Sequence, residues 1–165
     1  MNTVTPPRSL RCARRALLVL CVCAWGCLQP PPDVGGLVSV RQEDTRVVVL
    51  LREADRLMES DPHAAARMIR ETALVRARAN ATAASALRPR HPRAEALADR
   101  LARLLDERVV RLERYADALD TNDPATLLRE VRAQRALEDD LLRLETRLDA
   151  AAHEPATRGC AGPAR

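Results

Sequence analysis

The sequence predicts an all-α fold, an antiparallel up-down bundle of four long helices over residues 37–152. Three observations support this prediction. No glycine lies between Gly36 and Gly159, and proline occurs between residues 37 and 152 only at positions 62, 89, 92 and 124. Apolar residues recur there at every third or fourth position, as on one buried helix face. The connections at the prolines are short, which favours antiparallel neighbours.

The first 26 residues have the organisation of an export signal. Arginine occurs at positions 8, 11, 14 and 15, and an apolar run from Ala16 to Trp25 follows. That run is about half as long as the roughly 20 residues that a membrane-spanning helix needs. The sequence therefore predicts a signal peptide over residues 1–26 that is removed on export.

The end of this segment carries a recognisable junction. The tetrapeptide Ala24-Trp25-Gly26-Cys27 resembles the lipobox of bacterial lipoproteins. Gly26 and Cys27 match the family pattern, whereas Ala24 and Trp25 stand where leucine and a small residue are usual. The resemblance implies that Cys27 is lipidated and holds the protein at a membrane of the cell envelope, facing the periplasm. Leu28 replaces the aspartate that retains enteric lipoproteins at the inner membrane, which favours the outer membrane.

Two other outcomes are open for the same segment. Ordinary signal peptidase also accepts small residues before the cut, and cleavage after Gly26 or Ala24 would give a secreted protein. An uncleaved segment would stay as an anchor. Of the five cysteines, only Cys27 and Cys160 follow the predicted cleavage site. Without a lipid on Cys27, these two could form a disulfide in an oxidising compartment.

The mature chain divides into a tether, a helical domain and a tail. Residues 27–36 hold the lipidated cysteine, three consecutive prolines from Pro30 and two glycines, which predicts a non-helical tether. Proline at positions 62, 92 and 124 suits the first turn of a helix, and Asp61 and Asp123 can cap the free amides that follow. The predicted helices span residues 38–59, 62–87, 92–120 and 124–152, and residues 153–165 form a disordered tail.

The four helices differ in the size of their apolar residues. The first, third and fourth carry leucine and valine at helical spacing, with Gln134 interrupting the pattern in the fourth. The second carries mostly alanine, which lets neighbouring backbones approach closely. Tyr115-Ala116-Asp117-Ala118-Leu119 before Asn122-Asp123-Pro124 resembles the end of a tetratricopeptide unit. Each interval between junction prolines nevertheless holds one long pattern rather than a helical pair, so the bundle is favoured over a solenoid.

Composition excludes several classes of partner. Four of the 27 arginines and none of the 23 acidic residues precede Cys27, so the mature chain carries 23 charges of each sign. The basic isoelectric point therefore describes the signal peptide, and no nucleic-acid partner is predicted. Tyr115 is the one aromatic residue after Cys27, so platforms for stacking bases or sugars are lacking.

No motif of catalysis or metal binding occurs in the mature sequence. The histidines, at positions 63, 91 and 153, lie near predicted helix ends, and neither His-Glu-x-x-His nor Cys-x-x-Cys is present. The acidic run Glu138-Asp139-Asp140 fans around its helix, so at least two of its carboxylates are expected in water. We therefore predict no catalytic residue, no metal site, no cofactor, no small-molecule substrate and a protein that is not an enzyme.

Charge is divided unevenly among the helices. Residues 62–93 carry seven arginines and one acid, Glu71, whereas the flanking segments are acidic. We expect the second helix to pair with its neighbours. The alternative is a binding module for anionic envelope material, lipid phosphate or acidic glycan, with five candidate residues: Arg76, Arg78, Arg88, Arg90 and Arg93. The favoured prediction is an exported, membrane-anchored lipoprotein that acts as an interaction or structural module, binding another protein or a second copy of itself.

Overall fold

The structure, a computed structural model, describes residues 32–153, and these form a four-helix bundle. Helix α1 spans Pro32–Met58, α4 spans Pro92–Asp120 and α5 spans Pro124–His153. Between α1 and α4, the chain forms α2 (Pro62–Met68), a π-helical turn (Ile69–Ala73) and α3 (Leu74–Ala86). These three pieces are continuous and are called the second helix, residues 62–86. The all-α antiparallel bundle predicted from sequence is confirmed.

The helix starts follow from local chemistry. Asp61 Oδ1 accepts a hydrogen bond from Ala64 N at 2.8 Å, and Asp123 Oδ1 accepts one from Thr126 N at 3.2 Å. His91 Nδ1 accepts one from Arg93 N at 3.3 Å. Each cap precedes a proline, whose missing amide costs no helical hydrogen bond in the first turn. The predicted capping by Asp61 and Asp123 is therefore confirmed.

The predicted tether was wrong over residues 32–36, because α1 already begins at Pro32 and contains Gly35 and Gly36. Each glycine disfavours a helix by about 1 kcal/mol relative to alanine. Val34 and Leu37, however, are 3% and 0% exposed in the core, and burying one such side chain contributes about 1.5–3 kcal/mol. Tertiary burial therefore outweighs local propensity here.

The core consists of two clusters stacked along the bundle. The first core cluster contains leucines of α1, α4 and α5 with two alanines of α3, among them Leu37, Ala81, Leu101, Leu105, Leu141 and Leu144. The second core cluster joins α1, the second helix and α4, and includes Val47, Ile69, Ala73, Leu112, Tyr115 and Leu119. Cα atoms of the second helix approach those of both α1 and α4 within 8 Å. The alanine-rich second helix thus packs closely between its neighbours, as predicted.

The π-helical turn interrupts the second helix without bending its buried face away from the core. Ile69 and Ala73, its first and last residues, are both fully buried. The exposed Thr72 hydroxyl donates to the Met68 carbonyl, an arrangement in which a side chain competes with the backbone ladder. Such turns are often found at functional or strained positions in helices.

Among residues 32–153, no helix combines the length and the apolar character that crossing a membrane requires. The predicted signal peptide, the lipidation site Cys27, Cys160 and the tail from residue 154 onward lie outside the described residues. Of the predicted tail, His153 is helical and closes α5.

Candidate functional site

A layer of buried charge lies between the two core clusters. On α1, Arg41 and Asp44 fall between Leu37 of the first cluster and Val47 of the second. On α4, Arg108 falls between Leu105 and Leu112 in the same way. Asp44 and Arg108 are 0% and 1% exposed, and Arg41 is 5% exposed. We call Arg41, Asp44 and Arg108, together with Glu138 and Glu145 of α5, the buried charge layer.

The layer joins three helices through ion pairs. Arg41 Nη1 lies 3.2 Å from Asp44 Oδ2, and Arg41 Nη2 lies 3.2 Å from Glu138 Oε1 and 3.3 Å from Glu145 Oε2. Arg108 Nη2 donates to Glu138 Oε2, and Arg108 Nε lies 3.4 Å from Asp44 Oδ1. Two guanidinium groups thus face three carboxylates, two of which reach the surface of α5.

Burial dominates the electrostatics of Asp44. Loss of water raises the pKa of this carboxyl above its ordinary value, and the guanidinium groups of Arg108 and then Arg41 oppose that effect. Within the described residues, Asp44 Oδ1 and the Nε atoms of Arg41 and Arg108 have no hydrogen-bond partner. A one-turn slide of any helix would separate these charges inside the core, so we expect the layer to select a single register.

The second helix and α5 contribute neutral polar groups at the same boundary. Asn80 is 9% exposed and lies between Ala77 of the second cluster and Ala81 of the first. Gln134 precedes Leu137 by one turn on α5. Neither Asn80 Nδ2 nor Gln134 Nε2 has a hydrogen-bond partner among residues 32–153. All four helices therefore place a polar residue near the junction of the clusters.

A second buried acid lies nearby on α5. Glu130 is 1% exposed; its Oε2 lies 3.4 Å from Arg111 Nη1, and its Oε1 lies 3.5 Å from Arg129 Nε. Arg111 also donates to Glu107 at 3.1 Å. The contact between Glu130 and Arg111 ties α5 to α4. In the second core cluster, the buried Tyr115 hydroxyl donates a hydrogen bond to Asp55 Oδ1 at 2.9 Å. Burial raises the pKa of that phenol.

The expected charge pairing of the second helix is confirmed. Arg70 Nη2 lies 2.7 Å from Asp117 Oδ1, and Arg70 Nη1 pairs with Asp120, which also accepts a contact of 3.1 Å from His63 Nδ1. The hydrogen bond from Arg70, followed by that from His63, holds the pKa of Asp120 below its ordinary value. These pairs bind the second helix to the end of α4.

The five arginines proposed for an anionic ligand do not converge. Arg76 Nη1 lies 3.9 Å from Glu43 on α1, whereas Arg78 Nη2 lies 2.6 Å from Glu113 on α4, on the other side of the second helix. Arg88 donates to the carbonyls of Ser85 and Leu87 and so closes the end of α3. Arg88, Arg90 and Arg93 are all exposed around the turn of residues 87–91.

An open groove of about 530 Å³ lies beside that turn, between α3 and α4. Arg88 and Arg103 line it together with three acids, Glu95, Asp99 and Asp106. Carboxylates that outnumber the guanidinium groups make a poor site for phosphate or an acidic glycan. The charge of the groove therefore does not match the alternative ligand class.

Sequence reasoning missed the buried charge layer. The predicted first helix began at residue 38 and its apolar face at Val47, so Arg41 and Asp44 were not recognised as core positions. Glu138 was grouped with a solvated run; Asp139 is indeed exposed, but Glu138 turns inward to Arg41 and Arg108. The available signal was the interval of three or four residues from Leu37 through Arg41 and Asp44 to Val47, and from Leu105 through Arg108 to Leu112.

Within residues 32–153, no group of three or more histidine, cysteine, aspartate or glutamate side chains is arranged to hold a metal ion. Comparison with protein families, with curated proteins and with solved structures finds no match.

Proposed function

We propose that this chain is an exported, membrane-anchored helical lipoprotein that acts as a non-enzymatic interaction or structural module of the cell envelope. The Gly26-Cys27 junction after a short apolar run supports lipid attachment and a position facing the periplasm, with the outer membrane favoured. Release as a secreted protein is the alternative for the same signal.

The role as an interaction or structural module rests on one observation: arginines of the bundle pair with carboxylates of the same chain. The two most buried arginines hold three helices together, and Arg70, Arg76 and Arg78 pair the second helix with α1 and α4. Side chains engaged in this way hold the helices in one arrangement and so stabilise a defined scaffold. Such a scaffold acts through the faces that it presents.

The same observation disfavours the binding module for lipid phosphate or acidic glycan. Arg76 and Arg78 already face carboxylates on different helices. Only the exposure of Arg88, Arg90 and Arg93 around one turn favours that candidate, and the neighbouring groove carries three acids. A protein partner is therefore the favoured ligand.

Fatty-acid labelling in the cell tests the lipoprotein proposal. A metabolic lipid probe should label the wild-type chain and fail to label Cys27→Ala. The matched control is Cys160→Ala, which removes the other cysteine of the mature chain and should leave labelling unchanged. Equal labelling of wild type and Cys27→Ala, with both in the same cell fraction, would refute lipid attachment at Cys27.

A pull-down from membranes tests the interaction module. The processed protein should retain a protein partner or a second copy of itself through washes at about 0.5 M salt, at which exposed charge contacts are largely screened. Recovery of the bait alone, with a monomeric mass, would refute a role in protein interaction.

A further inference from the structure

The outer face of α5 carries a second helical seam, opposite the one that packs into the core. Its seven members follow each other at alternating intervals of four and three residues, and all are exposed: Leu128, Arg132, Arg135, Asp139, Leu142, Thr146 and Asp149. This is the heptad spacing through which one helix packs along another. The inner seam of α5 is already buried in the first core cluster through Leu137, Leu141, Leu144 and Leu148.

Two large apolar side chains stand on this outer seam. Leu128 is 53% exposed and Leu142 is 50% exposed. They lie about four helical turns apart, roughly 21 Å along the axis, and so on the same face. In an antiparallel pair of α5 helices, Leu128 of each copy would lie against Leu142 of the other.

The charge of α5 is polarised in a way that suits the same pairing. Residues 124–137 carry three arginines and a single acid, the buried Glu130. Residues 138–153 carry two arginines and five acids, but Glu138 and Glu145 face Arg41 in the buried charge layer. The three remaining acids, Asp139, Asp140 and Asp149, give that half a small acidic excess on its other sides. Acidic residues near the N-terminus and basic residues near the C-terminus stabilise a helix through its dipole. The charges of α5 have the opposite, unfavourable order. Each half of the neighbouring α4 carries a net charge of zero or minus one, so α4 has no comparable separation of charge along its length.

We propose that the outer seam of α5 binds a second copy of this chain, antiparallel, about a two-fold axis near Arg135. The basic half of each α5 then lies over the acidic half of the other, and Arg132 lies across from Asp139 of the second copy. Both side chains are exposed and form no ion pair among residues 32–153. The contact is self-complementary, as a two-fold interface requires. This inference rests on the proposed function and names the partner of the interaction module.

The mass of the processed chain in a mild detergent tests the dimer. Sedimentation equilibrium should give twice the mass of one processed chain at high protein concentration. Leu128→Glu combined with Leu142→Glu should raise the dissociation constant at least about tenfold, since two buried leucines are lost on each copy. Val75→Glu is the matched control, because Val75 is 56% exposed on α3 and outside the seam.

Circular dichroism of each variant confirms that the bundle remains folded. A wild-type chain that stays monomeric up to about 1 mM, where even a weak dimer forms, would overturn the proposal. An unchanged dissociation constant for the double leucine variant would show that the dimer uses another face, and would overturn it as well.

A charge exchange tests the antiparallel arrangement itself. Arg132→Asp alone and Asp139→Arg alone should each weaken the dimer about threefold to tenfold, because each places like charges across the interface. The variant with both substitutions restores opposite charges and should recover most of the wild-type affinity. A combined variant that is no tighter than either single one would refute the pairing of these two positions.

The two proposals fail in different measurements. A dimer that persists in Cys27→Ala, with no lipid label on the wild type, keeps the α5 interface and removes the membrane anchor. A labelled protein that is monomeric and captures a different partner keeps the interaction module and removes the second copy as its partner.

Discussion

Arg108 is the residue on which the interior of the bundle depends most. It is 1% exposed and faces Asp44 and Glu138, one of which is fully buried. Breaking a buried ion pair by removing one partner leaves the other charge without compensation, which costs more than the pair itself contributes. Removing the Arg108 side chain alone therefore tests how much the buried charge layer contributes to the stability of the fold.

We predict that Arg108→Ala lowers the free energy of unfolding by about 3–5 kcal/mol. Arg103→Ala on the same helix is the matched control, because Arg103 is exposed and should change stability by less than about 0.5 kcal/mol. Urea unfolding followed by circular dichroism measures both. Replacing Asp44 and Arg108 together with leucine should be less damaging than Arg108→Ala, since no buried charge is then left alone. Similar losses for Arg108→Ala and Arg103→Ala would contradict the account.

Asp120 gives a prediction with pH. Because folding lowers the pKa of this carboxyl, its ionised form stabilises the fold above the unfolded pKa of about 4, and that contribution is lost as the pH falls through the folded value. Wild type should therefore melt at a higher temperature than Asp120→Asn at pH 7. The difference should shrink steadily as the pH is lowered below about 4. Asp99→Asn serves as the control, because Asp99 is exposed on α4 and lies outside the proposed dimer interface. A difference for Asp120→Asn that does not depend on pH would contradict the assignment.

The residues that sequence could predict are those with local roles. Asp61 and Asp123 cap helices through amides two or three residues away, so the neighbouring residues in the sequence are enough to predict this function. Arg41 and Arg108 depend on acids contributed by other helices, and Glu138 stands 97 positions after Arg41 in the sequence. A pattern that counts arginine as a surface residue cannot find them, because burial is possible only once the partners are in place.

At the scale of the element, the start of α1 can be tested with two adjacent glycines. A Cβ at Gly35 would meet nothing within 4 Å, whereas one at Gly36 would lie 3.2 Å from Leu87 Cδ2. We predict that Gly35→Ala raises the free energy of unfolding by about 0.5–1 kcal/mol, because alanine favours the helix. Gly36→Ala should gain less, since Leu87 has to move.

Thermal and urea unfolding of both variants measure this difference. If residues 32–36 were a tether, as the sequence alone predicted, neither alanine would change stability. A gain at Gly36 as large as the gain at Gly35 would contradict the close contact with Leu87.

Helix limits show where local rules hold. Those of the second, third and fourth helices agree with the sequence prediction to within one residue, because proline and aspartate mark each start. The limit of α1 differs by six residues. There the local signals of proline and glycine oppose the burial of Val34 and Leu37, and only the assembled core decides between them.

At the scale of the whole molecule, vesicle binding distinguishes the two candidate ligands, a protein partner and anionic envelope material. The chain from residue 28 onward, without lipid, should not bind vesicles rich in anionic lipid at low salt, because the groove beside Arg88 carries three acids. Replacing Arg88, Arg90 and Arg93 together with glutamine should leave both vesicle binding and stability nearly unchanged, since exposed pairs contribute about 0–1 kcal/mol each.

Vesicle co-sedimentation at low and at high salt measures this binding. Binding that is strong at low salt, weakens as salt rises and disappears in the triple variant would overturn our choice between the candidates. A variant with glutamine at Arg52, Arg56 and Arg67, which are exposed elsewhere on the bundle, controls for the loss of net charge.

The π-helical turn gives the second helix a tolerance for changes of length. Its hydrogen bonds span one residue more than those of an α-helix, so it takes up an extra residue without rotating the helix on either side. Loss of the exposed Thr72 would return this turn to α-helical geometry and leave both buried faces in place. Loss of Arg76 would instead turn everything before it by about 100° relative to α4. The chain that lacks Thr72 should therefore melt at a much higher temperature than the chain that lacks Arg76. The π-helical turn thus marks the position at which this bundle can gain or lose a residue during evolution.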